Sequence, residues 1–365
     1  MNSNIIEKLI VFCSSPRTVE AISTYVGSRI TVPAMSELQI PGFTVFQNRD
    51  SKQCPIFMIK PRETTDIAKA RMWNFWRDPK VTPLIWVQFD PAYYKKQDRV
   101  LLKVLSDVHL GHIEHNSKKF LADIKLIQDT PNMFTTLNGD MIENGLKDTH
   151  GTFDQILTPH EQVWGRENDP SQPGLVKLLW PIRHKIWWAL PGNHEQRSSR
   201  SGNMCPLKAA CKVLDVPYFK EPVFADLLTW NRVFNIYAQH GTGGGGTSGG
   251  QSNTSNKPTL FQNPMHFSIM GHVHNGKFNI VRRFVRRREY DENGKRVRIS
   301  LEDFAQHNVI LPSYLKYFNT YGSAGAMAPG SFESVICEMF NSGEYSVKQQ
   351  RPASVANVQG LREVT

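Results

Sequence analysis

The sequence predicts an α/β chain of stacked strands and helices, and three observations predict it. From residue 99 onward, short apolar runs end abruptly in polar residues. Stretches of helical character separate these runs. The runs are continuous rather than alternating, which fits buried strands covered on both faces.

The runs are LLKVLSD (101–107), FTTLNGD (134–140), KIWWALPGN (185–193), VFNIYAQH (233–240) and HFSIMGH (266–272). HNSKKFLADIKLIQDT and NMCPLKAACKVLD are predicted helical or loop connections between them. Strands alternating with helices build a layered α/β domain.

Residues 1–60 have a different grammar. Residues 4–13 and 17–26 have helical character, divided by Ser14, Ser15 and Pro16, with Thr18 as a candidate N-cap. Residues 31–39 are a third short helix, with Pro33 in its first turn. FTVFQ and CPIFMI then flank NRDSK as a predicted hairpin. Three helices and a hairpin resemble a winged helix-turn-helix module. Its alternative role is packing against protein, as a dimerising cap.

Residues 61–98 are read as a linker or packing helix. ETTDIAKARMWNFWRD is read as helical, with Met72, Phe75 and Trp76 as its apolar stripe, and PLIWVQFD as a strand. The main domain is expected over 99–345 and a polar tail over 346–365. GTGGGGTSGGQSNTSNKP (241–258) is nearly devoid of apolar residues and is expected to be a mobile loop bordering His240. DENGK (291–295) is a predicted hairpin turn within a basic segment.

The chain has 365 residues and a formal charge of +10, from 43 Lys and Arg against 33 Asp and Glu. That balance favours an anionic partner such as nucleic acid or a phosphate-bearing substrate, and is also compatible with simple solubility. Arg282, Arg283, Arg286, Arg287 and Arg288 are the candidate nucleic-acid contacts. The five cysteines form no Cys-x-x-Cys pair, which argues against a sulfur-ligated zinc site and for reduced thiols in the cytoplasm. No apolar run approaches the ~20 residues of a membrane helix. If the chain oligomerises, a dimer is the expected assembly.

The polar ends of the apolar runs carry the chemistry. They are Asp107 and His109, Asp140 after Gly139, Asn193 to Glu195 after Gly192, His240, and His272 with His274. Strand ends in α/β proteins project to one side, where ligands bind. Carboxylates, imidazoles and an amide oxygen make a mixed donor set suited to Mn, Fe, Zn or Ni. Taken singly, each segment has an ordinary reading as a turn, a cap, a core histidine or a surface pair. All of them in this order, each after an apolar run, point to one metal centre.

SDVH, NGDMIE, PGNHE, AQHG and MGHVH resemble the signature blocks of the calcineurin-like metallophosphoesterase superfamily, over roughly residues 100–340. The resemblance implies a four-layer β-sandwich flanked by helices and two divalent metals, Mn²⁺ first among them. It implies Asp107, His109 and His274 on one metal, and Asn193, His240 and His272 on the other, with Asp140 bridging. It gives His194 the substrate phosphate and leaving group, and Glu143 and Glu195 an orienting role. The reaction implied is phosphoester hydrolysis by metal-activated water.

Three substrate classes remain open. A DNA nuclease fits the charge, the arginines and the winged-helix-like module. A protein Ser/Thr phosphatase fits PGNHE, but GDMIENG lacks the Arg that normally follows the metal-binding Asp in that group. A cyclic-nucleotide or other small phosphodiesterase does not need the basic segment. A scaffold with a vestigial site is disfavoured by the complete ligand set.

Overall fold

The computed structural model describes residues 9, 13, 17–27, 29–31, 35, 43–49, 55–61, 73–77, 84–90, 93, 95–147, 149, 152–230, 232–242, 248–260, 263–290, 296–316, 320 and 334–350. The chain divides into two compact units, Met1–Ala70 with Asp78–Val81, and Arg71–Arg77 with Thr82–Thr365.

In the first unit, β1 (Arg17–Thr18) leads into α1 (Val19–Val26). Thr18 caps the helix as its position predicts, its Oγ1 accepting from Ala21 N at 3.3 Å. β2 (Phe43–Arg49) and β3 (Pro55–Pro61) form the predicted antiparallel hairpin. β3 also pairs with β1, giving a three-stranded sheet. The helices expected over 4–13 and 31–39 lie largely outside the described residues. Within them, Cys13 N donates to Leu9 O and Met35 N to Thr31 O, each closing a helical turn.

The second unit opens with a correction. The segment read as a packing helix contains β4 (Trp73–Arg77), a strand that pairs antiparallel with β5 (Leu84–Phe89). The good helix formers lie before Arg71, whereas WNFWR is rich in aromatics that favour the pleated surface. Alternation then governs burial: Trp73 and Phe75, two apart, both meet the core.

The remaining elements follow as β6 (Arg99–Lys103), α2 (Ser117–Asp129), β7 (Met133–Asn138), α3 (Pro159–Trp164), α4 (Leu175–Leu179) and β8 (Ile186–Leu190). After them come α5 (Asn193–Gly202), α6 (Pro206–Leu214), β9 (Val223–Thr229), β10 (Arg232–Gln239), α7 (Ser248–Asn256) and β11 (Phe267–Met270). The chain then forms β12 (Lys277–Tyr290), β13 (Arg296–Ile310), β14 (Ser334–Phe340) and β15 (Tyr345–Gln350). Residues 346–350, assigned by composition to the polar tail, lie in β15.

Two mixed sheets result. One has the order β12-β13-β11-β10-β9-β5-β4 and the other β15-β14-β6-β7-β8. On β6, Val100 and Leu102 pack into the core between the sheets, while Leu101 joins a second core beneath the helices. This two-sided burial is the reason for the unbroken apolar run. The first core is aromatic, with Phe134 stacked on Trp187 at 5.4 Å and Phe89 edge-on to Phe134 at 4.8 Å. The second packs Phe120, Ile124 and Ile127 of α2, Val163 of α3 and Leu207 of α6 against the other face of the five-stranded sheet. Two mixed sheets flanked by helices are consistent with a calcineurin-like α/β sandwich.

The glycine-rich segment departs from its expected mobility. Of its described residues, 248–256 form α7, and Gln251 and Ser255 are buried. Polar contacts do the packing: Asn308 Nδ2 donates to Asn256 Oδ1 at 2.5 Å, and Lys277 Nζ to Gln251 Oε1 at 3.0 Å. Composition without apolar residues conceals a helix held this way. The turn expected at DENGK lies outside the described residues, but the strands on either side pair antiparallel from Lys277↔Ile310 outward.

Trp73 provides a test of the β4 assignment. It is 3 % exposed, and its Nε1 donates to His184 O at 2.9 Å. Trp73→Ala is expected to destabilise this unit by about 3–5 kcal/mol, read by urea denaturation. A loss below about 1 kcal/mol would place this tryptophan at a surface.

Candidate metal centre

β6, β7, β8, β10 and β11 deliver their C-terminal ends to one place. β6, β7 and β8 are mutually parallel, as are β10 and β11, so their following loops emerge on a common side. Three interlocking donor groups arise there: Asp107, His109 and His274; His109, Asp140 and His194; and Asp140, His240 and His272. Within each group the ligand atoms lie within 4.8 Å of one another.

The first group is tight. His274 Nε2 stands 3.2 Å from Asp107 Oδ1 and 3.3 Å from His109 Nε2. In the third group, His240 Nε2 is 3.1 Å from Asp140 Oδ2. The Asn193 amide oxygen enters this group, 3.1 Å from His240 Nε2 and 2.9 Å from His272 Nδ1. Asp140 belongs to both the middle and the third groups and links them. All the predicted metal residues therefore meet here. The arginines of β12 are not part of this cluster.

The imidazoles are aimed by their other nitrogens. His109 Nδ1 meets Glu143 Oε2 at 2.8 Å, and His240 Nδ1 meets Asn138 O at 2.8 Å. Each partner turns the ring's Nε2 toward the cluster, a common way to orient metal-binding histidines. Glu195 works on the backbone instead. Its carboxylate accepts from Gly192 N, Asp140 N and Met141 N at 2.7–2.9 Å, locking the loop after β7 to the start of α5.

Backbone conformation is the feature that sequence reading missed. Asp107, His109, Asp140, His272 and His274 all have φ between 50° and 69°, in the left-handed region. Such conformations cost of order 1–3 kcal/mol each. Here tertiary hydrogen bonds over-determine them: His272 N donates to Asp107 Oδ1 at 3.0 Å and His194 N to Asp140 Oδ1 at 2.8 Å. Gly139 (φ 87°) shows how closely the loops approach. A methyl group there would sit 2.5 Å from Gly192 N and 2.6 Å from His240 Nδ1.

Electrostatics test whether the donor set fits metal. Burial alone would push the Asp107 and Asp140 carboxyls up. The imidazoles, His274 and His240 for Asp107 and His240 and His194 for Asp140, outweigh burial and hold both below the usual carboxylate range. The same field acts on His240. Burial opposes its protonation, but Asp140 and then Asp107 raise it to about 10. His109 goes the other way, pushed to about 4 by burial and His194 against the pull of Glu143. Buried carboxylates that draw positive charge onto His240, beside a His109 that burial holds neutral, fit divalent ions. The His and Asp clusters are consistent with a calcineurin-like two-metal motif.

Two flanking residues complete the site. His194 Nδ1 meets Glu143 O at 2.7 Å, and its Nε2 lies 3.9 Å from Asp140 Oδ2. Arg197, one turn further along α5, places a guanidinium nitrogen 3.1 Å from His194 Nε2 and another 3.1 Å from Glu143 O. The i,i+3 spacing in HEQR was its available signal, but nothing local showed that this helix face meets the metal-binding groups.

No protein-family model matches this chain, and no curated protein matches it.

Glu143→Gln should weaken divalent-ion binding about 10–100-fold by releasing the His109 ring, measured by titration calorimetry. Unchanged affinity would show that the contact between His109 and Glu143 does not orient the ligand.

Proposed function

We propose that this metal-dependent phosphoesterase cleaves nucleic-acid phosphodiesters, with DNA as the first substrate. One observation carries the reading. Three residues after His274 the chain enters β12, whose exposed Arg282, Arg286 and Arg288 extend positive charge outward from the metal site. The net charge of +10 supports it, since phosphate backbones bind through such charge. The helix and hairpin of the first unit are compatible with a winged helix that adds further contacts. The free thiols at Cys205, Cys211 and Cys337 fit a reducing compartment. No helix among the described residues is long and apolar enough to cross a membrane.

Asp107, His109 and His274 would hold one ion, and Asn193, His240 and His272 the other, with Asp140 shared. Two bound divalent ions, Mn²⁺ foremost, supply Lewis acidity to the phosphoryl oxygens and lower the pKa of the attacking water. His194 is placed to do the remaining proton work. Asp140 and Glu143 overcome its burial and raise its pKa, which favours the protonated ring that a leaving oxygen needs. Its backbone contact to Glu143 leaves Nε2 as the nitrogen that faces substrate. Arg197, beside that nitrogen, is positioned to hold a non-bridging phosphate oxygen. The helix N-terminus at Asn193 favours the same anion.

Arg197 also keeps a phosphoprotein as a second reading. It brings a guanidinium to the site from α5, although the usual position after Asp140 lacks one.

An Mn²⁺-supplemented assay on linear DNA, circular DNA, a phosphopeptide and an aryl phosphodiester separates these readings. Cleavage of DNA and the aryl diester is expected. Hydrolysis of the aryl diester alone, or of the phosphopeptide in preference, would remove the nuclease assignment. Asp140→Asn should lose bound metal and nearly all turnover. His194→Asn should keep its metal, by elemental analysis, while turnover falls about 10²–10⁴-fold. Normal turnover in His194→Asn would exclude the proton-donating role.

A further inference from the structure

Beyond the rung Ile280↔His307, the ribbon of β12 and β13 leaves its sheet. β11 pairs with β13 only over Phe267↔His307 to Met270↔Ile310, whereas the β12–β13 ladder continues to Tyr290↔Arg296. Directly opposed residues in an antiparallel ladder share a face, as do alternate residues of one strand. One face of the ribbon therefore carries Arg282, Phe284, Arg286 and Arg288 from β12, opposite Ala305, Asp303, Leu301 and Ile299 of β13.

That face is open. Phe284 is 76 % exposed, Leu301 65 % and Ile299 51 %. Phe284 and Leu301 are diagonal neighbours across the ladder, within reach of one another as an apolar shelf. Asp303 is the one carboxylate on these rungs, and it pairs with Arg282. Arg286 and Arg288 make no ion pair among the described residues.

We infer that this face binds single-stranded nucleic acid, with an unpaired base stacked on the Phe284 and Leu301 shelf and phosphates on Arg286 and Arg288. The inference rests on the nuclease reading of the metal site and names the form of its substrate. Arg286 and Arg288 on β12 face Leu301 and Ile299 on β13, which matches a strand whose bases and phosphates lie on opposite edges. A second copy of the chain fits poorly. A two-fold contact presents the same patch twice, which would set Arg286 and Arg288 against their own kind with no free carboxylate on these rungs. The stretch from Arg282 to Arg288 spans roughly 20 Å at the rise of an antiparallel strand, long enough for a few nucleotides leading from the metals.

The test is fluorescence anisotropy of full-length protein with short labelled oligo(dT), and with an abasic oligomer of equal charge, in chelator to prevent cleavage. Wild type should prefer oligo(dT). Phe284→Ala should weaken oligo(dT) binding about tenfold, without changing its salt dependence or its affinity for the abasic oligomer. Arg286→Ser combined with Arg288→Ser should lower the salt slope by about 1.4, at ~0.7 per phosphate contact. Turnover of an aryl phosphodiester should be equal in wild type and Phe284→Ala, showing an intact site, and far-UV circular dichroism of the double arginine variant should match wild type, showing an intact fold. Undiminished oligo(dT) affinity in Phe284→Ala would overturn the ribbon assignment, as would a shift from dimer to monomer in light scattering. A wild type that cleaves DNA while the ribbon variants bind normally loses only this inference. A wild type that hydrolyses the aryl diester but no nucleic acid loses the nuclease reading itself.

Discussion

Burying a carboxylate costs several kcal/mol unless cations or N–H donors meet it, and this chain buries Asp107 against His274 and Asp140 against His240. Asp107 is 0 % exposed and Asp140 1 %. Each accepts a backbone N–H from another loop, His272 for Asp107 and His194 for Asp140. Those donors offset part of the cost and tie the loops together. The rest of the negative charge is left facing imidazole rings at the centre. The fold around them brings five strand ends close enough for that arrangement, and the charge that remains makes the pocket a cation site.

This constraint explains features that would otherwise be liabilities. Five metal-group residues in left-handed backbone are costly alone, yet they let consecutive loops turn their side chains inward at close quarters. Gly139 is needed because the loop after β7 lies against Gly192 and His240 with no room for a side chain. Glu195 spends its whole carboxylate on backbone N–H groups, and that fixes Asp140 relative to Asn193. The same helix turn carries His194 and Arg197, so Asn193, His194 and Arg197 are positioned by one rigid element.

The legibility of these features varied with their range. Asp107-x-His109 and His272-x-His274 could be read because each pair is local and each follows an apolar run. The helix after Thr18 and the β2–β3 hairpin were legible for the same reason. The helix expected across Phe75 and Trp76 was misread because a short aromatic run satisfies more than one periodicity. Pairing with β5 and burial of Trp73 select the strand. The glycine-rich segment was misread because α7 is held by side-chain amides on Asn256 and Gln251, which composition does not distinguish from solvated polar residues.

By itself, the sequence determined the chemical vocabulary of the centre: which carboxylates, imidazoles and amide it contains, and that each ends a buried strand. Those are properties of residue type and local pattern. Only the tertiary structure decided how they are combined. His272 and Asp107 meet across 165 positions and Asp140 and His194 across 54, and pairings at such separation follow from sheet order, not from spacing. The left-handed turns at five metal-group residues and the entry of Arg197 also exist only where the loops converge. They are stable because partners from elsewhere in the chain hold them there.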